Sequence, residues 1–198
     1  TRYFPPDKET WIVNNTKRVI ALGYFDGVHN GHGQLMKAVT AAANRTGAVA
    51  SAFTFDRSPT AVITGQPVPL ISSVEDRIWL MRHYYGIQEV VVASFDAMQR
   101  MDWEDFITQY LIRDLGVVHV VAGHDFHFGY MGKGNPQRLK EKCAQLGIGC
   151  DIIGTVTQDG ITISSTYIRT LIAQGEMERA NQFLGHPHTL TNRVAHGK

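Results

Sequence analysis

The chain has 198 residues, of which 43% are hydrophobic and 19% are charged, and its formal net charge at pH 7 is +1. This length and composition fit one soluble globular domain, and the charge provides no overall basic field that would attract nucleic acid or an anionic membrane. No run reaches the ~18 apolar residues of a membrane helix, and residues 1–9 lack the apolar core of a signal peptide. We therefore expect a cytoplasmic protein with neither a nucleic-acid nor a membrane partner.

The first predicted element is a buried strand at 18–25, because its apolar run is short, continuous and followed by a turn. A glycine-rich loop at 26–32 comes next. The following residues predict a helix at 34–45, since apolar residues recur on one helical face and Gly47 is a suitable stop. A second apolar strand at 48–55 completes a strand-helix-strand unit, which is right-handed in nearly all known cases.

The alternation of strands and helices continues through most of the chain. The further predicted elements are a helix to Tyr85 after a capping box at 72–75, a strand at 88–93, a helix from Asp102 to Leu115, a strand at 117–122 and a helix after Asn135-Pro136 to Leu146. Repeated β-α units indicate the α/β class, with an open, doubly wound (Rossmann-like) parallel sheet.

The alternation of strands and helices changes near the end of the chain. An Asp-Gly turn at 159–160 predicts a small β-hairpin with arms at 151–156 and 161–164. Two short helices are predicted after it, at 165–173 and 176–184. The sequence thus predicts a β-hairpin and helical appendage on the parallel sheet.

The segment with the strongest chemical signal follows the first strand and reads Gly23-Tyr-Phe-Asp-Gly-Val-His-Asn-Gly-His32. Ligands of open parallel sheets bind beyond the carboxyl ends of strands. His29 and His32 lie where a helix begins, Gly31 allows close approach of the backbone, and the helix N-terminus adds unpaired N–H groups. These features predict a phosphate site in a solvent-accessible loop, with both imidazoles donating to phosphate oxygens. The alternatives are two incidental histidines, or half of a metal site without an evident third ligand.

A second segment, Ile163-Ser-Ser-Thr-Tyr-Ile-Arg169, lies where a strand enters a helix. The hydroxyls of Ser165 and Thr166 either cap that helix or bind an anion. Arg169 lies one turn beyond Thr166 on the same face, and its planar guanidinium suits a triphosphate. Capping alone does not require this arginine, so the segment favours a phosphate role.

A third segment, Gly123-His-Asp-Phe-His-Phe-Gly129, follows the fourth predicted strand. Asp125 is either a plain turn residue or a group that holds a ribose, a ring N–H or a metal-bound phosphate. Phe126 and Phe128 are either core residues or ligand contacts. This segment alone leaves these alternatives open.

Four segments together resemble the FMN adenylyltransferase (FAD synthetase) module of the bacterial bifunctional riboflavin kinase/FMN adenylyltransferase family. They are G-x-F-D-G-V-H-x-G-H at 23–32, T-F-D-x-x-P at 54–59, G-x-D-F-x-F-G at 123–129 and I-S-S-T-x-I-R at 163–169. The resemblance implies a nucleotidyltransferase fold, with 1–185 as the adenylyltransferase domain. It implies that 186–198 is a short tail, or the start of a kinase domain, and we expect no riboflavin kinase activity from these residues alone.

The resemblance implies adenylyl transfer from ATP to FMN, giving FAD and pyrophosphate, by in-line attack of the FMN phosphate on the α-phosphorus. Mg²⁺ would accompany ATP, and the resemblance assigns neither a metal ligand nor an oligomeric state. The implied catalytic residues are His29, His32 and Arg169. The implied ATP-binding residues are Gly23, Phe25, Asp26, Gly31, Ser165 and Thr166. The implied FMN-binding residues are Phe55, Pro59, Asp125, Phe126 and Phe128.

The chain departs from the family pattern at four positions. Ser58 replaces a common histidine, His127 and Tyr167 replace frequent arginines, and Asn135 replaces a frequent aspartate. Two alternatives to FMN adenylylation therefore stay open. One is a nucleotidyltransferase with another acceptor, such as nicotinamide mononucleotide, phosphopantetheine or a choline-type phosphate, and the other is a flavin-nucleotide binding module without catalysis.

Overall fold

A computed structural model describes residues 2–4 and 16–191, and its centre is a six-stranded parallel sheet. The strands are Arg2–Phe4 (β1), Arg18–Leu22 (β2), Val49–Phe55 (β3), Glu89–Ala93 (β4), Val117–Gly123 (β5) and Gly149–Ile153 (β6). Their spatial order is β1-β4-β3-β2-β5-β6, so the chain moves outward from β2 to β4 and then crosses back to β5. The predicted doubly wound sheet is confirmed, and its switch point lies between β2 and β5.

Helices cover both faces of this sheet. They are Asn30–Thr46 (α1), Pro59–Thr64 (α2), Val74–Tyr85 (α3), Phe95–Met98 (α4), Trp103–Asp105 (α5) with a π-helical continuation at Phe106–Asp114, Pro136–Gln145 (α6), Ser165–Ala173 (α7) and Met177–Leu184 (α8). Alternate residues of β2 point to opposite faces. Val19 and Ala21 pack in the cluster under α1 and α3, whereas Ile20 and Leu22 pack in the cluster with the π-helix and α6.

Side-chain caps set two helix starts that differ from the prediction. Helix α1 begins at Asn30, four residues before the predicted start, because His29 is its N-cap residue. The capping box of α3 joins Ser73 to Asp76, one residue further along than predicted, and both of its reciprocal hydrogen bonds are present.

The predicted hairpin is wrong in its first arm. Residues 149–153 form β6, a parallel strand paired with β5, and only Thr157–Gln158 (β7) and Ile161–Thr162 (β8) pair antiparallel. A short run with mixed polarity matches an edge strand and a hairpin arm equally well, so the sequence did not separate them. The helical part of the appendage is confirmed, and α7 and α8 enclose a small core that includes Ile168 and Phe183.

The first residues of the predicted tail pack back onto the domain. Nε2 of His186 donates to the carbonyl oxygen of Gly27 at 3.0 Å, and Nε2 of His188 donates to that of Ile71 at 3.0 Å. Residues 192–198, and the N-terminal stretch apart from β1, lie outside the described residues, so the boundary at 185 stays a prediction. In the described part of the chain, no helix is long and apolar enough to cross a membrane.

Candidate active site

A cleft of ≈ 1300 Å³ opens beyond the carboxyl ends of β2, β3 and β5. Its lining includes every predicted site residue: Gly23, Phe25, Asp26, His29, Gly31, His32, Phe55, Pro59, Asp125, Phe126, Phe128, Ser165, Thr166 and Arg169. Segments from the start, middle and end of the domain therefore meet in one cavity. The role of each residue stays a prediction.

His29 is fixed at the N-terminus of α1 by its own imidazole. Nδ1 accepts a hydrogen bond from the backbone N–H of His32 at 3.2 Å, which caps the helix. The side chain is 5% exposed, so the prediction of a solvent-accessible loop is wrong for His29. Burial lowers the pKa of His29 to about 4, so the ring is neutral at pH 7. Because Nδ1 is an acceptor, the single ring proton lies on Nε2.

His32 stacks on His29, with ring centroids 3.5 Å apart and planes 14° apart. Phe25, itself buried in the core, meets the His32 ring edge-on at 5.1 Å. Burial, followed by the neighbouring charges of His29 and Arg77, holds the pKa of His32 well below its usual value. Two neutral imidazoles thus lie together at the start of α1, and Nδ1 of His32 is buried without a hydrogen-bond partner.

The backbone before α1 adopts conformations that side chains rarely take. Phe25 has φ 58°, Gly27 has φ 76° and the β-branched Val28 has φ 43°. Such strain persists only where the surroundings enforce it, and it concentrates at functional sites. Gly31 is needed for a different reason, because a Cβ at this position would lie 3.1 Å from the His29 ring. This glycine therefore allows the imidazole to fold over the first turn of α1.

Asp26 connects the loop before α1 with the start of α7. Its buried carboxylate accepts hydrogen bonds from the backbone N–H groups of Ile71 and Ser72, each at 3.0 Å, and from Nη2 of Arg169 at 2.7 Å. Its carbonyl oxygen accepts a bond from Oγ of Ser165 at 3.0 Å. The start of α7 is therefore tied to the loop before α1, and Arg169 lies in the same cleft as His29.

The hydroxyls at the start of α7 have separate partners. Ser164 is the N-cap residue and accepts from the backbone N–H of Tyr167 at 3.2 Å. Ser165 is bonded to Asp26, and Thr166 is exposed in the cleft. Capping, the plain interpretation of this segment, accounts for Ser164, and the ion pair with Asp26 orients Arg169.

The opposite side of the cleft is aromatic. Phe126 stacks on Phe128 with centroids 5.5 Å apart, and Phe128 also packs against Phe106 in the core. Phe55 is half-buried and lies edge-on to Phe95 at 5.1 Å. Phe128 is 6% exposed, so much of its ring serves the core. Phe126 and Phe55 present more of their surface to the cleft, beside the exposed Asp125.

All four departures from the family pattern have structural partners. Ser58 caps α2 by accepting from the N–H of Ala61 at 3.3 Å, and Asn135 caps α6 by accepting from that of Arg138 at 2.9 Å. Tyr167 packs edge-on against Phe183 of α8 at 5.1 Å. The fourth departure, His127, is exposed at the cleft, and its Nδ1 donates to the carbonyl oxygen of Asp125 at 2.9 Å.

Arg77 and Tyr24 are residues of this region that the sequence analysis did not identify. Arg77 is 0% exposed and donates through Nη1 to the carbonyl oxygen of Tyr24 at 2.7 Å. Its guanidinium carbon lies 4.3 Å from the centroid of the Tyr24 ring. The one available signal is spacing, because Arg77 falls on the apolar face of α3 between Val74 and Met81.

The doubly wound parallel sheet, with a cleft beyond the carboxyl ends of its strands, has the α/β fold of nucleotidyltransferases. The family model described as FAD synthetase matches residues 12–167, and the chain belongs to that family.

Individual relatives agree with this assignment. A bifunctional riboflavin kinase/FMN adenylyltransferase from Bacillus subtilis is 35% identical over 184 residues, covering 91% of this chain and 57% of the relative. An FAD synthetase from Listeria monocytogenes is 28% identical, covering 91% of this chain and 73% of the relative. A solved structure named macrolide-efflux protein from Streptococcus pneumoniae aligns with TM-score 0.76 and 28% identity, covering 89% of this chain and 60% of that chain. The chain thus spans about three fifths of the bifunctional relative.

Proposed function

We propose that this domain transfers the adenylyl group of ATP to FMN, giving FAD and pyrophosphate. One observation carries the proposal. The N-termini of α1 and α7, far apart in sequence, converge on one side of a cleft whose other side is aromatic. Helix N-termini with imidazole and guanidinium groups suit a polyphosphate, and aromatic faces suit a flat ring system.

The polar groups have complementary parts in this proposal. His29 and His32 are neutral, so they act as hydrogen-bond donors and polarising dipoles, while Arg169 supplies positive charge. Asp26 is already bonded to protein donors, so its part is to hold Arg169 and the loop in place. Gly23, Gly31 and the buried Phe25 shape the same wall.

The reaction needs no covalent intermediate with the protein. An oxygen of the FMN phosphate attacks the α-phosphorus of ATP, and a new P–O bond forms on the side opposite to the bond that breaks. The bond between the α-phosphorus and the bridging oxygen breaks, and pyrophosphate leaves with that electron pair. Negative charge grows on the leaving group, and donors fixed by the fold stabilise it without reorganising.

Mg²⁺ belongs to this proposal as a companion of ATP, held chiefly by phosphate oxygens and water. Within the described ranges, no group of three His, Cys, Asp or Glu residues lies close enough to hold a metal ion. The exposed carboxylate of Asp125 lies in the cleft and would contact a water molecule of the hydrated ion. When bound, the ion would neutralise phosphate charge.

FMN is the acceptor that the second wall favours. Phe55 and Phe126 offer partly exposed aromatic faces, Pro59 lines the same cleft, and both rings pack against the core cluster that contains Phe128. An isoalloxazine ring would stack on such a surface, whereas a flexible acceptor such as phosphopantetheine would gain less from it.

A product assay tests the proposal directly. Purified protein is incubated with ATP, Mg²⁺ and FMN, and FAD and pyrophosphate are measured by chromatography and a coupled assay. We expect the two products in equal amounts. Parallel reactions contain nicotinamide mononucleotide, phosphopantetheine or a choline-type phosphate. Adenylylation of one of these acceptors without FAD formation would refute the acceptor, and FMN binding without turnover of any acceptor would indicate a binding module.

A further inference from the structure

Arg77 links the ends of two central strands. Its Nη1 donates to the carbonyl oxygen of Tyr24, just beyond β2, and to Oγ1 of Thr54 in β3 at 2.8 Å. Oγ1 of Thr54 itself donates to the same Tyr24 carbonyl at 2.8 Å. The three groups form a closed network beneath the cleft, and this network joins the loop before α1 to the T-F-D-x-x-P segment.

Among the described residues no carboxylate forms an ion pair with Arg77, although those of Asp26, Glu75 and Asp56 lie near enough to act on its charge. Nη2 is buried without a hydrogen-bond partner. The nearby carboxylate of Asp26 is paired with Arg169, and that of Asp56 accepts from the backbone of Phe95 at 2.9 Å. An unpaired buried charge is costly, and it usually marks a place where another group supplies the opposite charge.

The position of Arg77 points to the phosphate side of the cleft. Tyr24 lines the cleft and Arg77 does not, so the guanidinium lies behind the Tyr24 ring. Oη of Tyr24 is also buried without a partner. The charge of Arg77 acts on His32, whose pKa it helps to lower. An anion bound beside His32 would therefore experience the same charge.

We propose that Arg77 is a positioning residue whose buried charge is compensated by substrate phosphate. It holds the Tyr24 turn in place through hydrogen bonds, and its field favours polyphosphate beside His32 and Arg169. The inference rests on the proposed function only in requiring a phosphate-bearing ligand in this cleft. It does not depend on which acceptor receives the adenylyl group.

Two variants of Arg77 separate charge from packing. Arg77→Met keeps a long apolar stem without charge, and Arg77→Lys keeps the charge without the fork. Binding of inorganic pyrophosphate and of ATP is measured by calorimetry. We expect both affinities to fall about tenfold in Arg77→Met and about threefold or less in Arg77→Lys. The matched control is Arg82→Met, an exposed arginine on the same helix, with no expected change. Equal affinities in the native and Arg77→Met proteins would overturn the proposal.

A measurement on the native protein covers the case in which Arg77→Met does not fold. The side-chain ¹⁵N signal of Arg77 is assigned by its absence in Arg77→Lys, and pyrophosphate is titrated in. We expect this signal to shift on binding, and an unmoved signal at saturation would overturn the proposal. If affinities change as expected but no FAD forms from ATP and FMN, the proposed function fails and the Arg77 inference stands. If FAD forms but the affinities are insensitive to Arg77, the inference fails alone.

Discussion

The two sides of the cleft are built in opposite ways. On the proposed phosphate side, hydrogen bonds fix Nδ1 of His29, the carboxylate of Asp26 and Oγ of Ser165. On the proposed acceptor side, the lining includes exposed apolar groups, with Ile63 at 73% and Met131 at 79% exposure. Under the proposed function, the fold fixes the groups for phosphate chemistry in advance, while contacts to the acceptor are completed only when it binds.

The largest expected effect comes from removing a fixed donor on the phosphate side. His29→Asn keeps a good N-cap residue and loses the Nε2–H group. We expect kcat to fall on the order of a hundredfold or more, with a loss of folding stability of less than about 2 kcal/mol. Activity assays and urea unfolding measure the two quantities, with the exposed His83→Asn as control. Parallel losses of activity and stability would indicate that His29 has only a structural role.

Lowering the pH should lower the free energy of unfolding through His29. The folded pKa of His29 is about 4, below the value near 6.5 of an unfolded histidine, so the unfolded state binds more protons between these values. Stability therefore falls as pH falls below about 6.5, and at pH 5 the loss from His29 is about 2 kcal/mol. Urea unfolding at pH 7 and pH 5 tests this expectation. His29→Asn should show a smaller loss on acidification, and an equal loss would count against the assignment.

A smaller effect is expected where charge is kept but geometry is changed. Arg169→Lys retains a cation beside Asp26 and loses the planar fork. We expect kcat to fall about tenfold while the Kd for FMN and the fold stay unchanged. Steady-state kinetics and flavin fluorescence titration provide the measurements. The control is Arg179→Lys on the exposed side of α8, and a turnover equal to that of the native protein would remove Arg169 from the mechanism.

The smallest expected effect lies on the acceptor rim. Met131→Ala removes an exposed apolar side chain, so KM for FMN should rise about threefold through lost contact area. The Kd for ATP should stay constant, since Met131 is 79% exposed and lies outside the segments that begin α1 and α7. Leu190→Ala, which removes a similarly exposed side chain away from the cleft, serves as control. A rise in the Kd for ATP as well would show that the two sides are not independent.

Local patterns predicted the parts of the fold that depend on local physics. Short apolar runs predicted the strands, and apolar residues that recur on one helical face predicted helices, so their order along the chain could be predicted. The segment that follows the first strand also placed His29 and His32 at the start of a helix. The pairing of Asp26 with Arg169 spans 143 residues and has no local signal. Arg77 was missed because an arginine on a helix is normally exposed, and only the packed structure shows it 0% exposed.

Other features could not be predicted because the local sequence is compatible with more than one structure, and contacts elsewhere in the fold decide between them. Asp102 as a capping residue predicted a helix to Leu115, but a cap does not reveal that Phe106–Asp114 has π-helical hydrogen bonds. Residues 149–153 pair with β5 over five residues, whereas the two arms of the hairpin pair over two residues. The sheet edge therefore provides the longer run of backbone hydrogen bonds. The three-residue β1 is too short to show any period.

The cap on α1 determines where a proton resides before any substrate arrives. The backbone N–H of His32 occupies Nδ1 of His29, so Nε2 keeps its hydrogen throughout, and a ring with a pKa of about 4 does not take up a second one near neutrality. Under the proposed function, His29 would therefore polarise a phosphate without taking up a proton. Replacing H₂O with D₂O should leave the rate of the transfer step nearly unchanged, and the rate should be flat from about pH 6 upward as far as His29 is concerned.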